Sequence, residues 1–386
     1  MAQQKATIPR ITIKIDGKTD FSTSSGKETL TTANGLHITR IHVDKRLDSP
    51  DMFTVDYHLL VGTELTFLDT FKEGNPVEIH IGYEKEELVF KGEISYVEPH
   101  YGKDGNGTVT ISGYDRSHRL TRGTRSKTWD DKKQDAFDYK TIVDDVIKNS
   151  GGHKGTKHQL SAGELGDTPP KFRHVPQLNI NDYQFVKSLG IDLGFKANTS
   201  SDKDKQLSMR KIEPADVAMT VVRTKPEGTD PHVAQDIRFR MSTVKQVSRV
   251  EVRGWDPKQK KNIVGVAESP TLSFGGTQGH KATTKALFGS GDDGSKVVVV
   301  DHPVYSKDEA DKVAQAIFDS LAMEFVTGEA EVEGAPKLVP GNTIEVKEFG
   351  KRFGGKYLVT SVQHLFIPEV MPYVTRFEFA RNSINE

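Results

Sequence analysis

Residues Gly74–Ser117 read GNPVEIHIGYEKEELVFKGEISYVEPHYGKDGNGTVTISGYDRS, and Gly341–Asn382 read GNTIEVKEFGKRFGGKYLVTSVQHLFIPEVMPYVTRFEFARN. The second stretch is a blurred copy of the first. Both open on Gly-Asn and continue as an alternating strand, Val77, Ile79 and Ile81 in one, Ile344 and Val346 in the other. Each runs on into a strand that ends in a histidine, Ile94 to His100 and Val359 to His364. Each closes on a Val-Thr strand with an aromatic and an arginine: Val109-Thr110 with Tyr114 and Arg116, Val374-Thr375 with Phe379 and Arg381. A third echo of the closing piece lies mid-chain, where VEVRGWDP from Val250 reads like VTISGYDR from Val109. Self-similarity of this kind marks a supersecondary unit used more than once, and the separation is far too long for a solenoid. The pattern is two related β units at opposite ends of one chain. Chance is the competing explanation, because strand signals are short and degenerate.

Outward from these copies, Ile11 to Asp115 reads as β throughout. Ile11, Ile13 and Ile15 alternate with polar residues, as do Phe53, Val55, Tyr57 and Leu59, at the period of a half-buried strand. Turn signals at Asp16-Gly17, Ser49-Pro50, Gly74-Asn75-Pro76 and Asp104–Gly107 divide them, which suggests a closed or partly closed antiparallel barrel. The middle changes character. Asp138 is a candidate N-cap before Ile142, Val143, Val146 and Ile147, with Gly151-Gly152 as the stop. A second helix starts at Asn181, with Gln184 three residues on, a buried stripe of Phe185, Val186 and Leu189, and an end at Gly194. Polar runs at Asn198–Gln206 and Lys225–Pro231 read as solvated loops.

From Val233 the chain returns to β, followed by a Gly/Ser/Thr-rich loop over 268–296 with no clear period. The clearest helix spans 306–325. Ser306 caps it, Glu309 completes the box, and Ala310, Val313, Ala314, Ile317 and Leu321 form one apolar face. The expected fold is mainly β with an α/β insertion: a first barrel over 1–125, a middle α/β region over 126–232, and a second barrel over 233–386. Strands from the middle region are expected to be available to complete the first barrel.

The 386 residues allow a sizeable core and several domains. With 53 basic and 54 acidic residues the net charge is −1, so no global field draws the chain to nucleic acid or an anionic membrane. Cysteine is absent, which removes disulfides, thiol catalysis and cysteine-ligated zinc and fits a reducing compartment. No apolar run has the ~20 residues that span a bilayer, and the N-terminus lacks a signal-peptide core. A soluble protein, cytoplasmic when made, is expected.

Candidate chemistry is sparse. His153 and His158 are a close histidine pair, but an i, i+5 spacing does not share a helix face, and a solvated loop explains them better than a metal. The carboxylate pairs Asp130-Asp131, Asp144-Asp145 and Asp292-Asp293 are adjacent in sequence, so their side chains diverge. Neither a nucleophile elbow nor a phosphate loop occurs, and no catalytic residue, cofactor or metal is expected. One basic run stands out: Arg116, His118, Arg119, Arg122, Arg125 and Lys127, ahead of Trp129. It is either a phosphate-contacting patch or a connection paired with Asp130, Asp131 and Asp135 downstream; without aromatic interleaving beyond Trp129, nucleic-acid binding is not expected. Trp255, before Asp256-Pro257, is either a packed strand-end aromatic or a subunit-contact anchor.

At four places the chain resembles the phage late-control D and VgrG-like family of baseplate hub proteins. They are GYDRSHRLTRGTRSKTW from Gly113, INDYQFVKSLGIDLGF from Ile180, VEVRGWDPKQKKNIVGVA from Val250, and the closing stretch from Gly328 that contains GNTIEVK, GGKYLVTSVQH and YVTRFEFARN. Their order is the family's order over nearly the whole chain. The resemblance implies a non-enzymatic hub of a contractile tail or injection machine. Three copies would form a ring, each giving two tube-protein-like barrels, so that a threefold spike meets a sixfold inner tube. Implied partners are a homotrimer, a spike protein, the tube ring and other baseplate proteins, with no membrane insertion and a final place in the assembled particle. Relatives continue into a spike after the last barrel; this chain reaches Glu386 four residues after Asn382, so the spike is expected as a separate chain. Arg116, Arg119, Arg122, Arg125, Trp129 and Trp255 are the candidate subunit or tube contacts. The alternatives from other classes are a tail-borne cell-wall hydrolase, for which no acid–nucleophile pair is evident, and a glycan-binding β protein, which alternating strands and the 268–296 loop would suit.

Overall fold

The computed structural model describes residues 9–22, 32, 36–59, 68–103, 105–130, 138–149, 160–166, 172, 174–200, 203–213, 216–224, 232–256, 259–288, 295–368 and 371–385. The opening unit consists of β1 (Arg10–Ile15), β2 (Lys18–Ser22), β3 (His37–Arg46), β4 (Ser49–Leu59), β5 (Pro76–Gly82), β6 (Glu87–Tyr101) and β7 (Gly107–Tyr114). Period-two alternation buries one face of each strand: Ile11, Ile13 and Ile15; Phe53, Val55, Tyr57 and Leu59; Val77, Ile79 and Ile81. The ladder runs β2-β1-β5-β6-β7-β4-β3 with every neighbouring pair antiparallel. Phe366 and Tyr373 from the far end of the sequence complete its core.

The chain then leaves the sheet through a 3-10 turn, Arg116–Thr121, capped by the Asp115 carboxylate on Ser117 N. Next come β8 (Arg125–Asp130), α1 (Tyr139–Asn149), β9 (Ser161–Leu165), β10 (His174–Ile180), α2 (Asp182–Leu193), β11 (Phe195–Ser200) and β12 (Lys203–Lys211). They form a separate α/β layer with its own core around Trp129, Tyr139, Phe185 and Val186. Asp138 accepts from Thr141 N at 2.8 Å, Asn181 accepts from Gln184 N at 2.7 Å, and Gly194 ends α2 at φ 68°. β8 pairs with β10, and β11 with β12 and β12 with β9. Among the described residues none of these strands joins the opening unit, contrary to the expectation that middle strands complete it; the closing unit supplies the missing core. Two sequence readings are corrected or bounded here. Asn198–Gln206, read as a solvated loop, carries the ends of β11 and β12, whose pairing overrides the polar composition. Lys225–Pro231 lies outside the described residues, as do His153 and His158.

The last part contains β13 (Val217–Val222), β14 (His232–Met241), β15 (Arg249–Asp256), β16 (Lys261–Ala267), β17 (Thr277–Gln278), α3 (Gly279–Phe288), β18 (Lys296–Val299), α4 (Lys307–Met323), β19 (Val326–Glu333), β20 (Thr343–Val346), α5 (Gly350–Phe353), β21 (Gly355–Ile367), β22 (Met371–Arg381) and β23 (Ser383–Ile384). Six of these close on themselves in the order β21-β20-β13-β14-β19-β22-β21. This barrel therefore begins at Val217, inside the segment read as the middle region. Between β14 and β19 the chain makes an excursion, in which β16, β15 and β18 pack on α4 around Val250, Val252, Ala310 and Val313. Ser306 caps α4, accepting from Glu309 N at 3.2 Å, while Glu309 returns a bond to Tyr305 N at 2.8 Å. The 268–296 stretch, read as a loop, contains β17 and α3. Gly279 and the threonines give α3 little intrinsic propensity. Tertiary contacts hold it instead: Gly279 N donates to Asn382 O at 2.8 Å and His280 lies edge-on to Phe318 at 5.5 Å.

The duplication is visible atom by atom. Gly74 N donates to Ile94 O at 2.8 Å and Ile94 N to Asn75 O at 3.0 Å; Gly341 N donates to Val359 O at 2.8 Å and Val359 N to Asn342 O at 2.9 Å. Both glycines need the left-handed region, φ 85° and 92°. The clasped residue sits in both copies at a bulge, between Ile94 and Tyr96 against β7 and between Val359 and Ser361 against β22. With these bulges matched, β6 corresponds to β21, β7 to β22, β4 to β19 and β3 to β14. Three details of the sequence comparison change. His364 then corresponds to Pro99, not His100, and the former is fully buried while His100 is exposed. Arg381 falls opposite Asp115 rather than Arg116. The third echo, β15, belongs to the sheet on α4 and pairs with no barrel strand.

Candidate functional site

The two barrels share one wall. β21 bends after its clasp; its first part, Val346↔Gly355 to Thr343↔Leu358, pairs with β20, and its second part pairs with β3, from Ser361↔Arg46 to Phe366↔Ile41. The path β6-β7-β4-β3-β21-β22-β19-β14 is thus eight strands long and antiparallel at every step. Its inner side is the two apolar cores. Its outer side is polar and largely neutralises itself: Arg40–Asp56 at 2.7 Å, Arg46–Asp44 at 3.3 Å, Arg376–Glu331 at 2.5 Å and Arg238–Glu329 at 3.0 Å. Exposed pairs like these contribute little stability singly. They make a hydrated wall of balanced charge.

The wall's two outermost strands are uncovered over part of their length. Beyond the clasp β6 pairs only with β7, and from Ile237 onward β14 pairs only with β19, among the described residues. Tyr96 and Tyr101 on the β6 edge are 59% and 53% exposed. Neither edge was identified by sequence reasoning. The outward alternation of Tyr96, Glu98 and His100 was a weak local signal, but nothing local tells an edge strand from an inner one.

At the seam of the two barrels lie buried ionisable groups. His364 is wholly buried, its Nδ1 3.0 Å from Tyr373 Oη and 3.3 Å from Thr375 Oγ1. Burial first, then the charge of Lys45, pushes its pKa down to about 3. Lys45, 3% exposed, faces Asp51 with Nζ 3.8 Å from its carboxylate. Burial pushes the Asp51 carboxyl up against the pull of Lys45, and Asp115 adds to the rise.

The basic run turns inward. Arg116 and His118 are buried in the 3-10 turn. Arg119 Nε donates to Glu93 at 2.8 Å, Arg125 reaches Asp182 at 3.1 Å, and Lys127 and Trp129 Nε1 both bond Asp145. Trp129 stacks on Phe185 at 5.0 Å with planes 6° apart. Among the described residues the partners are Glu93, Asp182 and Asp145, acids distant in sequence that the fold brings close; of the downstream acids expected from sequence, Asp131 and Asp135 lie outside the described residues. Arg119 ties the 3-10 turn to β6 of the first barrel, while Arg125, Lys127 and Trp129 hold β8 to α1 and α2 within the middle layer; of the run only Arg122 stands exposed. Asp144, as expected, diverges from Asp145 and pairs with Lys148. Trp255 lies on the uncovered face of the β15 sheet, 54% exposed, near Glu251, which Arg249, Arg253 and Lys296 all contact. The structure does not bring Trp255 and the basic run into one site. Among the described residues no group of three or more His, Asp or Glu could hold a metal ion, and no helix is long and apolar enough to cross a membrane.

Solved structures share this architecture. A 43 kDa tail protein of prophage MuSo2 from Shewanella oneidensis aligns over 98% of this chain and 100% of its own, with TM-score 0.66 and 12% identity. A tail protein from Neisseria meningitidis MC58 aligns over 97% of each chain, TM-score 0.65, 13% identity. An Escherichia coli component of the type VI secretion system, described as similar to the T4 bacteriophage tail proteins gp27 and gp5, aligns over 96% of this chain and 77% of its own, TM-score 0.53, 11% identity. At such identities the likeness is one of fold. No curated protein sequence matches the chain. The model of the Alg8 N-terminal domain matches residues 33–367, and the chain belongs to that family.

Proposed function

We propose that the chain is a non-enzymatic structural hub of a contractile tail or injection machine, a trimeric adaptor between a threefold spike and a sixfold inner tube. The observation that carries this reading is the pair of bulge-matched barrels fused through one continuous wall. A strict threefold object docks evenly on a sixfold one only if it presents six similar surfaces at one end. The two ends of the wall differ in the required way. At one end the β6–β7 and β21–β22 connections are both short, and three copies would repeat them six times. At the other end the barrels diverge: β7 leads into residues 115–211, while β14 and β19 are separated by residues 242–325. That end repeats only three times, and it suits a spike and surrounding baseplate proteins. The division proposed is a first barrel to residue 115, a middle layer to 211, and a second barrel from 217 interrupted by the excursion on α4. Assembled particles are the proposed final location. Arg122 and Trp255 remain the exposed members of the sequence-derived contact set.

Mass photometry of the purified chain, with class averages viewed down the ring axis, tests the proposal. The expected species has three times the 42.9 kDa chain mass and six alternating lobes of density. A chain that stays monomeric or dimeric at every concentration, alone and with its particle's other components, sinks it.

A further inference from the structure

Inside the chain, the second half of β21 pairs with the outer edge of β3, and this junction joins the barrels. By the bulge match, the counterpart of that β21 segment is Tyr96–Tyr101 of β6, and the counterpart of the β3 edge is Ile237–Ser242. Both counterparts are uncovered among the described residues, and they bound the wall on opposite sides. We infer that copies join by pairing these two edges antiparallel, β6 of one copy with β14 of the next, in the register of the internal junction. The inference rests on the ring reading above and names its contact surface; the occupant of each edge is a second copy of this chain.

The transferred register is specific. It sets Tyr96 opposite Ser242, Val97 opposite Met241, Glu98 opposite Arg240, Pro99 opposite Phe239 and Tyr101 opposite Ile237. Among the described residues neither Glu98 nor Arg240 has an ion-pair partner within the chain, and this register places them face to face. Within the chain, Leu47 N donates to Thr360 O at 3.2 Å, which makes Ser361↔Arg46 a non-hydrogen-bonded pair and His364↔Val43 a hydrogen-bonded one. Pro99 takes the place of His364, so the junction between copies has one bond fewer than the internal one. A proline there also discourages indiscriminate strand addition to an otherwise open edge.

The test uses the full chain, which has no cysteine of its own. Glu98→Cys with Arg240→Cys places two thiols in a non-hydrogen-bonded pair, where opposed strands bring Cβ atoms within disulfide reach. Mild oxidation is expected to give a covalent trimer on a non-reducing gel, with neither single variant cross-linking. Independently, Glu98→Arg or Arg240→Glu is expected to weaken ring association about fivefold per junction, and the double reversal to restore it. Rings of three that neither cross-link nor respond to the reversals overturn the edge pairing and leave the adaptor reading standing. A chain that never forms rings overturns both.

Discussion

Substituting Gly113→Ala tests how tightly the first barrel is packed around β7. Gly113 faces Phe53 across β4 and β7, and its neighbour Ile94 across β6 is the clasped bulge residue. A Cβ at Gly113 would lie 1.9 Å from Glu93 O and 2.9 Å from both Glu93 C and the Phe53 ring, where ordinary contact begins at 3.4 Å. The obstructing atoms are backbone, so β6 and β7 must separate by more than 1 Å. Overpacking of this kind costs about 1–3 kcal/mol. Loss of the ladder bonds around Glu93↔Tyr114 adds about 1 kcal/mol each for two bonds, which brings the expected cost to roughly 3–5 kcal/mol. With a urea slope of about 2 kcal/mol/M the midpoint falls by about 1.5–2.5 M. Gly17→Ala is the control: φ is 73° and nothing lies within 4 Å, so only the left-handed backbone strain of about 1 kcal/mol applies. Urea unfolding followed by far-UV circular dichroism reads both. A Gly113→Ala midpoint equal to that of Gly17→Ala refutes the steric argument.

His364 links the seam to pH. Its folded pKa, about 3, lies below the ordinary 6.5, so the unfolded chain takes up a proton as pH falls through 6.5 while the native chain does not until about 3. Its contribution is therefore intact above 6.5 and erodes by about 1.4 kcal/mol per pH unit below it. His364→Gln is expected to gain about 2 kcal/mol relative to the parent between pH 7.5 and pH 5, and parallel urea midpoints at the two pH values would contradict this. Arg119→Ala leaves the Glu93 carboxylate, 3% exposed, without its main cation and should cost about 3 kcal/mol. Arg119→Lys should recover part of that loss, and equal melting of Ala variant and parent would show the pair to be idle. Ser306→Ala removes the α4 cap for about 1 kcal/mol, read as a lowered thermal midpoint with unchanged helix content at 20 °C.

The strands and their repeat were legible because alternation at Ile11–Ile15 and Phe53–Leu59, and the Gly-Asn openings, are local signals. The Ser306 and Asn181 caps were legible for the same reason. What escaped was long-range pairing. The wall depends on β3 meeting β21, hundreds of residues away in sequence, and no local pattern encodes which edge a strand will share. The partners of Arg119 and Arg125 were missed likewise, since Glu93 and Asp182 become neighbours only after the sheets form. α3 was missed because its stability comes from Phe318 and Asn382 rather than from its own residues. The histidine match failed by one position because a strand pattern alone does not fix the register, which the Gly-Asn clasps on Ile94 and Val359 set.

The two barrels also differ in a reciprocal way. Phe53 stands opposite Gly113 in the first, whereas Gly328 stands opposite Phe379 in the second. Likewise Phe90 and Gly92 of β6 correspond to Gly355 and Tyr357 of β21. One aromatic pair fills each core at this level, Phe53–Phe90 at 4.8 Å and Tyr357–Phe379 at 4.9 Å, but from exchanged strands. A duplicated chain risks pairing a strand of one copy with the partner belonging to the other. Here β4 against β22 would press Phe53 onto Phe379, and β19 against β7 would face Gly328 with Gly113 and leave a void. Overpacking and cavity costs thus oppose both hybrids. The exchange lets the copies keep matching backbones, which quasi-sixfold packing needs, while their interiors remain non-interchangeable, which correct folding of a doubled barrel needs.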